Sequence, residues 1–234
     1  MVDIHSHILW GVDDGARTEA ESLAMLKQAF ESGTTDIVAT PHANTEYDPG
    51  RELLNERLTS LRGQAPAGLE IHVGRDMHLS PANILNVLKT PGRFTINSGK
   101  YVLVEFPDLF ISPSATSVLQ SLTEGGLTPI VTHPERNPVL QRDTEKLRTW
   151  VEAGCWLQVT AGSLLGRFGK SAAHAAWRLI EDGLTHVVAS DAHDPEERHA
   201  RLDEAYAAVK GEFGQKSADD LFTETPRKAL MIEA

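Results

Sequence analysis

Short runs of β-branched and apolar residues recur along the chain, and amphipathic helical segments separate them. Strands that alternate with helices are typical of βα units, in which crossover helices join parallel strands. We therefore predict an α/β protein built on a parallel sheet. The seven predicted strands are Val2–His5, Asp36–Thr40, Glu70–Asp76, Tyr101–Glu105, Pro129–Thr132, Trp156–Thr160 and His186–Ser190.

The segment between the first two strands carries the clearest helical signals. Thr18 is a predicted N-cap, Glu21 follows three residues later as in a capping box, and an apolar stripe ends at Gly33. Apolar residues recur with the 3.6-residue helical period in five further segments. These are Leu53–Leu61, Ala115–Leu122, Thr144–Val151, Ala172–Ile180 and Glu196–Val209.

Seven strands with helices between them favour a TIM-like barrel that lacks one unit over an open doubly wound sheet. No Gly-x-Gly-x-x-Gly follows any predicted strand, so the usual signature of a dinucleotide crevice is missing. With 234 residues and no linker-like segment, the chain is expected to form one domain over residues 1–234. In βα barrels the active site lies at the carboxyl ends of the strands.

The charge balance excludes several classes of partner. The chain has 33 acidic and 22 basic residues, a formal charge of -11, which provides no electrostatic footprint for nucleic acid or an anionic membrane. Met1 is followed at once by the first strand rather than by a leader, and no apolar stretch approaches the ~18 to 20 residues of a membrane span. We therefore expect a cytoplasmic protein without membrane insertion.

Polar side chains follow six of the seven predicted strands, close to where each strand ends. Because these strand ends meet on one rim of a barrel, we expect the side chains to lie together. Imidazole and carboxylate groups suit Mn, Fe and Zn, and carboxylates can bridge two ions, so this rim predicts more than one metal ion. The residues are His5, His7, His42, Asp76, Glu105, His133, Asp191 and His193.

Further residues extend this predicted site. The segment Asp13-Asp14-Gly15 adds carboxylates in the loop after the first strand, where the glycine permits a turn over the site. Arg136 and Arg198 each follow a predicted ligand closely, and a guanidinium group binds phosphate oxygens bidentately. His78, two residues beyond Asp76, is predicted to line the pocket rather than to bind metal.

Six segments carry a resemblance to a known family. They are Asp3–Leu9, Gly11–Ala16, Thr40–His42, Tyr101–Pro107, His133–Arg136 and Ser190–His193. Together they resemble the metal-dependent bacterial protein-tyrosine phosphatases of capsule and exopolysaccharide operons, a branch of the polymerase-and-histidinol-phosphatase (PHP) superfamily. The Gly-x-Asp-Asp-Gly-Ala loop and the His-Pro-Glu-Arg motif are the most specific parts of the resemblance.

The resemblance implies a distorted (β/α)7 barrel of the PHP type that holds two or three Mn2+ ions, with Fe, Zn, Co or Mg as substitutes. A carboxylate after the third strand would bridge the first two ions. The family usually has glutamate there, and Asp76 is shorter by about 1.5 Å. Carried over by position, His5, His7 and Asp191 would hold the first ion, Glu105 and His133 the second, and Asp14, His42 and His193 the third.

A site of this kind implies a mechanism without a protein nucleophile. Water that bridges two divalent ions has a lowered pKa, so a bridging hydroxide is the expected nucleophile. Arg136 and Arg198 would neutralise the phosphate oxygens, and His42 or a metal-bound water would protonate the leaving phenolate. Cysteine chemistry is disfavoured, because a Cys-x5-Arg loop that begins at Cys155 would need arginine where Ala161 stands.

We therefore predict a phosphotyrosine-protein phosphatase that regulates capsular or exopolysaccharide biosynthesis. By resemblance, its partner is a tyrosine-phosphorylated protein, a bacterial tyrosine kinase of polysaccharide assembly. Two alternatives stay open. The same site could hydrolyse a small phosphomonoester such as histidinol phosphate, or the protein could be a metal-stabilised regulatory module without turnover.

Overall fold

Short parallel strands alternate with helices along the chain, as the sequence predicts. The computed structural model describes residues 1–107 and 110–231, and the rest of the predicted domain lies outside the described residues. The strands are β1 (Val2–Ser6), β2 (Asp36–Ala39), β3 (His42–Ala43), β4 (Glu70–Val73), β5 (Asp76–His78), β6 (Tyr101–Glu105), β7 (Thr128–Thr132), β8 (Trp156–Thr160) and β9 (Val187–Ala189).

Two strand positions of the barrel are interrupted, which corrects the prediction. The second predicted strand, Asp36–Thr40, stops at Ala39 ahead of Pro41, which has no N–H to continue the ladder, and β3 follows beyond the predicted range. The third stops before Gly74 and resumes at Asp76 as β5. Gly74 lies in this break against Ile96, whose side chain would be 3.1 Å from an added Cβ.

The two breaks divide the strands between two parallel sheets. One sheet has the order β1-β2-β4, and the other has the order β3-β5-β6-β7-β8-β9. The barrel closes between β9 and β1, where the Asp191 N–H donates to the His5 carbonyl at 2.9 Å and the His7 N–H donates to the Ala192 carbonyl at 2.8 Å. When each broken strand is counted as one position, seven positions surround the barrel. The predicted α/β barrel fold is therefore confirmed.

Helices pack around the strands. Thr18 caps the first helix, since its hydroxyl accepts from the Glu21 N–H at 3.2 Å. No helix in the described ranges is long and apolar enough to cross a membrane. The helices are α1 (Glu19–Glu31), α2 (Arg51–Gln64), α3 (Pro81–Lys89), α4 (Ala115–Glu124), α5 (Thr144–Glu152), α6 (Ala161–Leu164), α7 (Gly169–Glu181), α8 (Asp203–Asp219) and α9 (Thr225–Ala229).

The predicted helix Glu196–Val209 is wrong in its first part. Helix α8 begins only at Asp203 and continues to Asp219. The Asp194 carboxylate instead accepts from the N–H groups of Glu196 and Glu197 at 2.7 and 2.6 Å, which folds this segment into a turn. The apolar period thus identified the helix but placed its start seven residues too early.

The strands alternate between two environments. Val102 and Val104 of β6 pack into the cluster that lies beneath the helices, whereas Leu103 packs with Ile130 and Val187 in a separate cluster. Because residues i and i+2 of a strand share a face, Glu105 continues the face of Leu103. The same alternation places polar side chains at the carboxyl ends of the inward-facing rows.

Candidate metal centre

The two ends of the barrel seam bring His5, His7 and Asp191 together. The His5 and His7 Nε2 atoms lie 3.3 Å apart, and Asp191 Oδ1 lies 3.4 Å from His5 Nε2 and 3.6 Å from His7 Nε2. All three side chains are buried. Three donor atoms of this kind at mutual distances below 4 Å can contact one divalent ion.

A second group forms where the loop after β1 meets the loops after β2 and β9. Asp14 Oδ1 lies 3.3 Å from His42 Nε2 and 3.5 Å from His193 Nε2. The His7 ring faces both imidazoles, with centroid distances of 4.4 Å to His42 and 4.0 Å to His193. These four side chains offer donor atoms that lie within 4.8 Å of one another, so they form a second set that could hold an ion.

Asp76 connects these groups. Its Oδ2 atom lies 3.6 Å from His5 Nε2 and 3.3 Å from His42 Nδ1, and Glu105 Oε2 lies 3.5 Å from the same His42 nitrogen. Asp76 is fully buried, and neither of its carboxylate oxygens has a hydrogen-bond partner among the described residues. A buried carboxylate is costly unless a cation compensates it, so this donor set fits divalent metal ions.

His133 lies beside these groups rather than within them. Its Nε2 atom is 3.5 Å from Glu105 Oε1, and its ring stacks on His5 with centroids 5.8 Å apart. The backbone of His133 is left-handed with φ of 34°, and Asp191 has φ of 50°. Both are non-glycine residues in a sparsely populated conformation, which turns their side chains toward the rim.

The crowding of ionisable groups raises the pKa values of His5, His42 and Glu105. Burial opposes protonation of His5, but the Asp191 and Asp76 carboxylates raise its pKa to about 9. Burial likewise opposes protonation of His42, but the Asp14 and Asp76 carboxylates, each 3.3 Å from one of its ring nitrogens, raise its pKa to about 11. Burial raises the pKa of Glu105 to about 8, with a further contribution from Asp76. The cluster therefore favours bound positive charge.

Arg136 and Arg198 reach the same rim. Both guanidinium groups donate to Oδ2 of Asp191, Arg198 at 2.7 Å, while Oδ1 of Asp191 faces the histidines. The Phe168 ring lies under both arginines, with its centroid 4.4 Å from Arg136 Cζ and 5.8 Å from Arg198 Cζ. Cation–π contact of this kind fixes the guanidinium planes beside the candidate metal site.

Comparison with known proteins shows which family this chain belongs to. The sequence profile described as "Capsular polysaccharide synthesis, CpsB/CapC" matches residues 1–231. The chain belongs to the CpsB/CapC family. The family predicted from the six sequence motifs is therefore confirmed.

Known members of the CpsB/CapC family cover most of this chain. The putative tyrosine-protein phosphatase CapC of Staphylococcus aureus is 36% identical over 197 residues, which are 82% of this chain and 77% of the relative. Tyrosine-protein phosphatase YwqE of Bacillus subtilis is 34% identical over 224 residues, 92% of this chain and 86% of the relative.

The same fold is present in a solved structure of the family. The chain superposes with a TM-score of 0.91 at 33% sequence identity, over 100% of this chain and 96% of the other. That structure comes from work on YwqE of Bacillus subtilis and CpsB of Streptococcus pneumoniae, which describes them as metal-dependent tyrosine phosphatases.

Two residues orient the candidate ligands of this family member: sequence reasoning placed Asp13 near the site without this role, and it missed Gln158. Asp13 Oδ2 lies 2.7 Å from His7 Nδ1 and accepts from the His42 N–H at 3.0 Å. Gln158 Oε1 lies 2.9 Å from His5 Nδ1. A carboxylate or carbonyl on the second ring nitrogen sets the tautomer and direction of a metal-binding histidine. The position of Asp13 next to Asp14 was the available signal, whereas Gln158 gave none.

Two further residues hold the loops of the site in place. The buried Glu135 carboxylate accepts from the Thr160 N–H at 2.9 Å and from the Ser163 hydroxyl at 2.7 Å, which anchors the turn that carries Arg136. Gly15 was predicted to permit a turn over the site, and its contacts show why glycine is needed there. A Cβ added there would lie 2.3 Å from the His7 carbonyl oxygen, so close approach of two backbones requires glycine.

The remaining histidines and the cysteine lie elsewhere. His72 pairs with Asp36 at 2.9 Å, and His174 is exposed on α7. His78 ends β5 and is outside the three groups of candidate ligands found among the described residues, in line with its predicted role as a lining residue. Cys155 is buried, and burial raises the pKa of its thiol to about 12, so it is a poor nucleophile.

Proposed function

We propose that this member of the CpsB/CapC family is a metal-dependent phosphotyrosine-protein phosphatase. The observation that carries the proposal is the convergence of imidazole and carboxylate groups around the buried Asp76, whose two oxygens accept no hydrogen bond from the described residues. Two guanidinium groups flank this set, where the oxygens of a phosphate monoester would lie.

The ligand assignment is part of the proposal. The mutual distances support His5, His7 and Asp191 as one set, and Asp14, His42 and His193 as another. Glu105 and His133, whose Oε1 and Nε2 atoms lie 3.5 Å apart, would form the third set of ligands. Asp76 would connect the three sets. A mixed set of imidazole and carboxylate donors can hold several divalent metals, and the resemblance favours Mn2+, with Fe, Zn, Co or Mg as substitutes.

The residues around the ligands have separate tasks in the proposed reaction. When bound, divalent ions would supply Lewis acidity and a lowered pKa for attacking water. Arg136 and Arg198 would hold the phosphate, and Arg198 Nε is a buried donor without a partner in the described ranges. Phe168 would keep both guanidinium groups in position. Proton donation by His42 to the leaving phenolate stays a prediction, because both of its ring nitrogens face carboxylates.

The proposed substrate is a tyrosine-phosphorylated protein, in particular a bacterial tyrosine kinase of polysaccharide assembly. The names of the relatives support the phosphotyrosine specificity, and the family description supports a role in capsular or exopolysaccharide synthesis. A regulatory role would follow if the kinase is active only in one phosphorylation state.

One experiment tests the chemistry directly. Protein loaded with Mn2+ should hydrolyse a tyrosine phosphopeptide, and activity should survive iodoacetamide but disappear with a chelator. The Cys155→Ser variant is the matched control and should retain wild-type activity. Activity that iodoacetamide removes, or that persists after complete metal removal, would contradict the proposal. Hydrolysis of histidinol phosphate with a much higher kcat/KM than the peptide would instead support the small-substrate alternative.

A further inference from the structure

A cavity of about 790 Å³ lies beside the broken strands and apart from the candidate ligands. None of the nine predicted metal ligands lines it. Three arginines from different parts of the chain do: Arg51 at the start of α2, Arg75 in the break between β4 and β5, and Arg93 in the turn after α3. In a chain with a net charge of -11, this concentration of cations at one cavity is unusual.

Two of these arginines already converge on an anion. The Asp48 carboxylate accepts from Arg75 at 3.1 Å and from Arg93 at 2.6 Å. A single half-exposed carboxylate thus compensates two guanidinium groups. Arg51 has no ion pair or hydrogen bond to its guanidinium within residues 1–107 and 110–231. The three arginines of the cavity lining and the nearby Asp48 together therefore have an excess of positive charge.

Two local features remain unsatisfied without a bound anion. Gly50, the N-cap of the 14-residue helix α2, provides no side chain for the free N–H groups, and the cation of Arg51 follows at the positive end of the helix dipole. Thr95 is only 2% exposed, lines the cavity, and its hydroxyl has no partner among the described residues. An anion would satisfy both the helix N–H groups and the hydroxyl.

The size and the lining of the cavity fit an organic ligand better than an inorganic ion. Leu54, Val73 and Pro49 contribute apolar surface next to the arginines. Cavities of about 300 to 1,000 Å³ are typical of sites for small organic ligands. We propose that this cavity is a second, non-catalytic binding site for a phosphate monoester with an apolar body. The ligand would be either another phosphotyrosine of the same polypeptide or a free organic phosphate.

The cavity and the candidate metal centre share one strand break. Arg75, on the cavity side, donates to the carbonyls of Pro41 at 3.1 Å and His42 at 2.7 Å. The next residue, Asp76, faces the metal centre. Arg75 is only 3% exposed and connects the cavity lining to the backbone that carries His42, so that a multiply phosphorylated polypeptide could be held at both sites.

Isothermal titration with phenylphosphonate, which resists hydrolysis, tests the second site on metal-loaded protein. The wild type should bind two equivalents, and the Arg51→Gln/Arg93→Gln double variant should bind one. Each lost charge-assisted hydrogen bond should weaken this site by about tenfold or more. Asp48→Asn should tighten it, because a competing carboxylate is removed. Arg148→Gln, a change at an exposed arginine of α5, is the control and should bind as the wild type does.

The result separates the second site from the proposed phosphatase activity. Turnover of a singly phosphorylated peptide should be unchanged in the double variant, since neither arginine is at the metal centre. A raised KM only for a doubly phosphorylated peptide identifies the polypeptide as the ligand source, and an unchanged KM with loss of phenylphosphonate binding identifies a free organic phosphate. Two equivalents bound by the double variant, or one equivalent bound by the wild type, would overturn the proposal.

Discussion

The two sides of the barrel contribute to the candidate site in different ways. On one side, β6 to β9 pair in regular parallel register, and their ligand candidates follow the strand ends. On the other side, the second and third strand positions are broken, and His42 and Asp76 begin the short strands β3 and β5 that follow the breaks. The regular side provides the scaffold, whereas the breaks bring two central side chains to the site.

The comparison also explains how a short carboxylate can act at this place. Asp76 opens a new strand that pairs with His42 in register, independently of β4, which pairs with β2. The segment that carries Asp76 therefore does not belong to the hydrogen-bonded ladder of β2 and β4. Its carboxylate lies within 3.6 Å of both His5 and His42. We propose that the break in the strand compensates for the shorter side chain of Asp76.

The largest loss of activity is expected from a substitution of Asp76, on the side of the barrel where the strands are broken. Asp76→Asn removes the buried charge that joins the candidate ligand sets, and loss of several kcal/mol of metal stabilisation corresponds to about a 1,000-fold loss in kcat. Metal analysis of the purified variant should show fewer ions per chain. Asp36→Asn on the adjacent strand is the control and should keep both metal and activity. If Asp76→Asn retains full metal content and activity, the central role of the break is wrong.

A substitution of Arg136 tests the side of the barrel where the strands pair regularly. Arg136→Ala should lower kcat by about 100-fold, the scale seen when one group that stabilises transition-state charge is removed. His174→Ala, a change on the exposed surface of α7, should have no effect in the same assay. Metal content should stay normal in both variants. Equal activity losses in the two variants would show that Arg136 has no special role.

Asp13 tests whether orientation of a ligand matters as well as its presence. Asp13→Asn places an amide N–H against His7 Nδ1, and changes of this kind typically cost about 10- to 100-fold in metal affinity or activity. A competition assay with a metal-chelating dye measures the affinity. Asp143→Asn, which alters the N-cap of α5, is the control. An unchanged affinity for the Asp13 variant would remove it from the site.

The smallest expected effect is the dependence of metal affinity on pH. Without metal, His5 has a pKa of about 9 and is therefore protonated at pH 7, and a metal ion must displace this proton. Metal affinity should rise with pH between 6 and 8, by about tenfold per unit for each proton released. Titration calorimetry in buffers of different ionisation enthalpy counts the protons. Affinity that is independent of pH would exclude protonated histidines in the metal-free site.

The barrel could be predicted from the sequence, and so could the eight side chains at strand ends, because both depend on local patterns. That these side chains and Asp14 bind metal stays a prediction. Strand ends that carry His or Asp can be recognised without knowledge of which strands are neighbours. Pro41 was a local signal for the end of β2, but the pairing of β3 with β5 in a second sheet could not be predicted, since it depends on contacts between distant segments. The turn before α8 was misread because Asp194 replaces helical hydrogen bonds with side-chain ones. Gln158 and Phe168 are similar cases, since only the folded barrel brings them beside His5 and the two arginines.

The left-handed backbone of His133 and Asp191 has a consequence for the evolution of this protein. Non-glycine residues in this conformation cost about 1 to 3 kcal/mol each. Glycine would relieve that cost at both positions, yet it would remove an imidazole and a carboxylate from the rim. Selection for heat resistance alone would therefore favour the loss of these two side chains, whereas selection for binding at the rim would retain them.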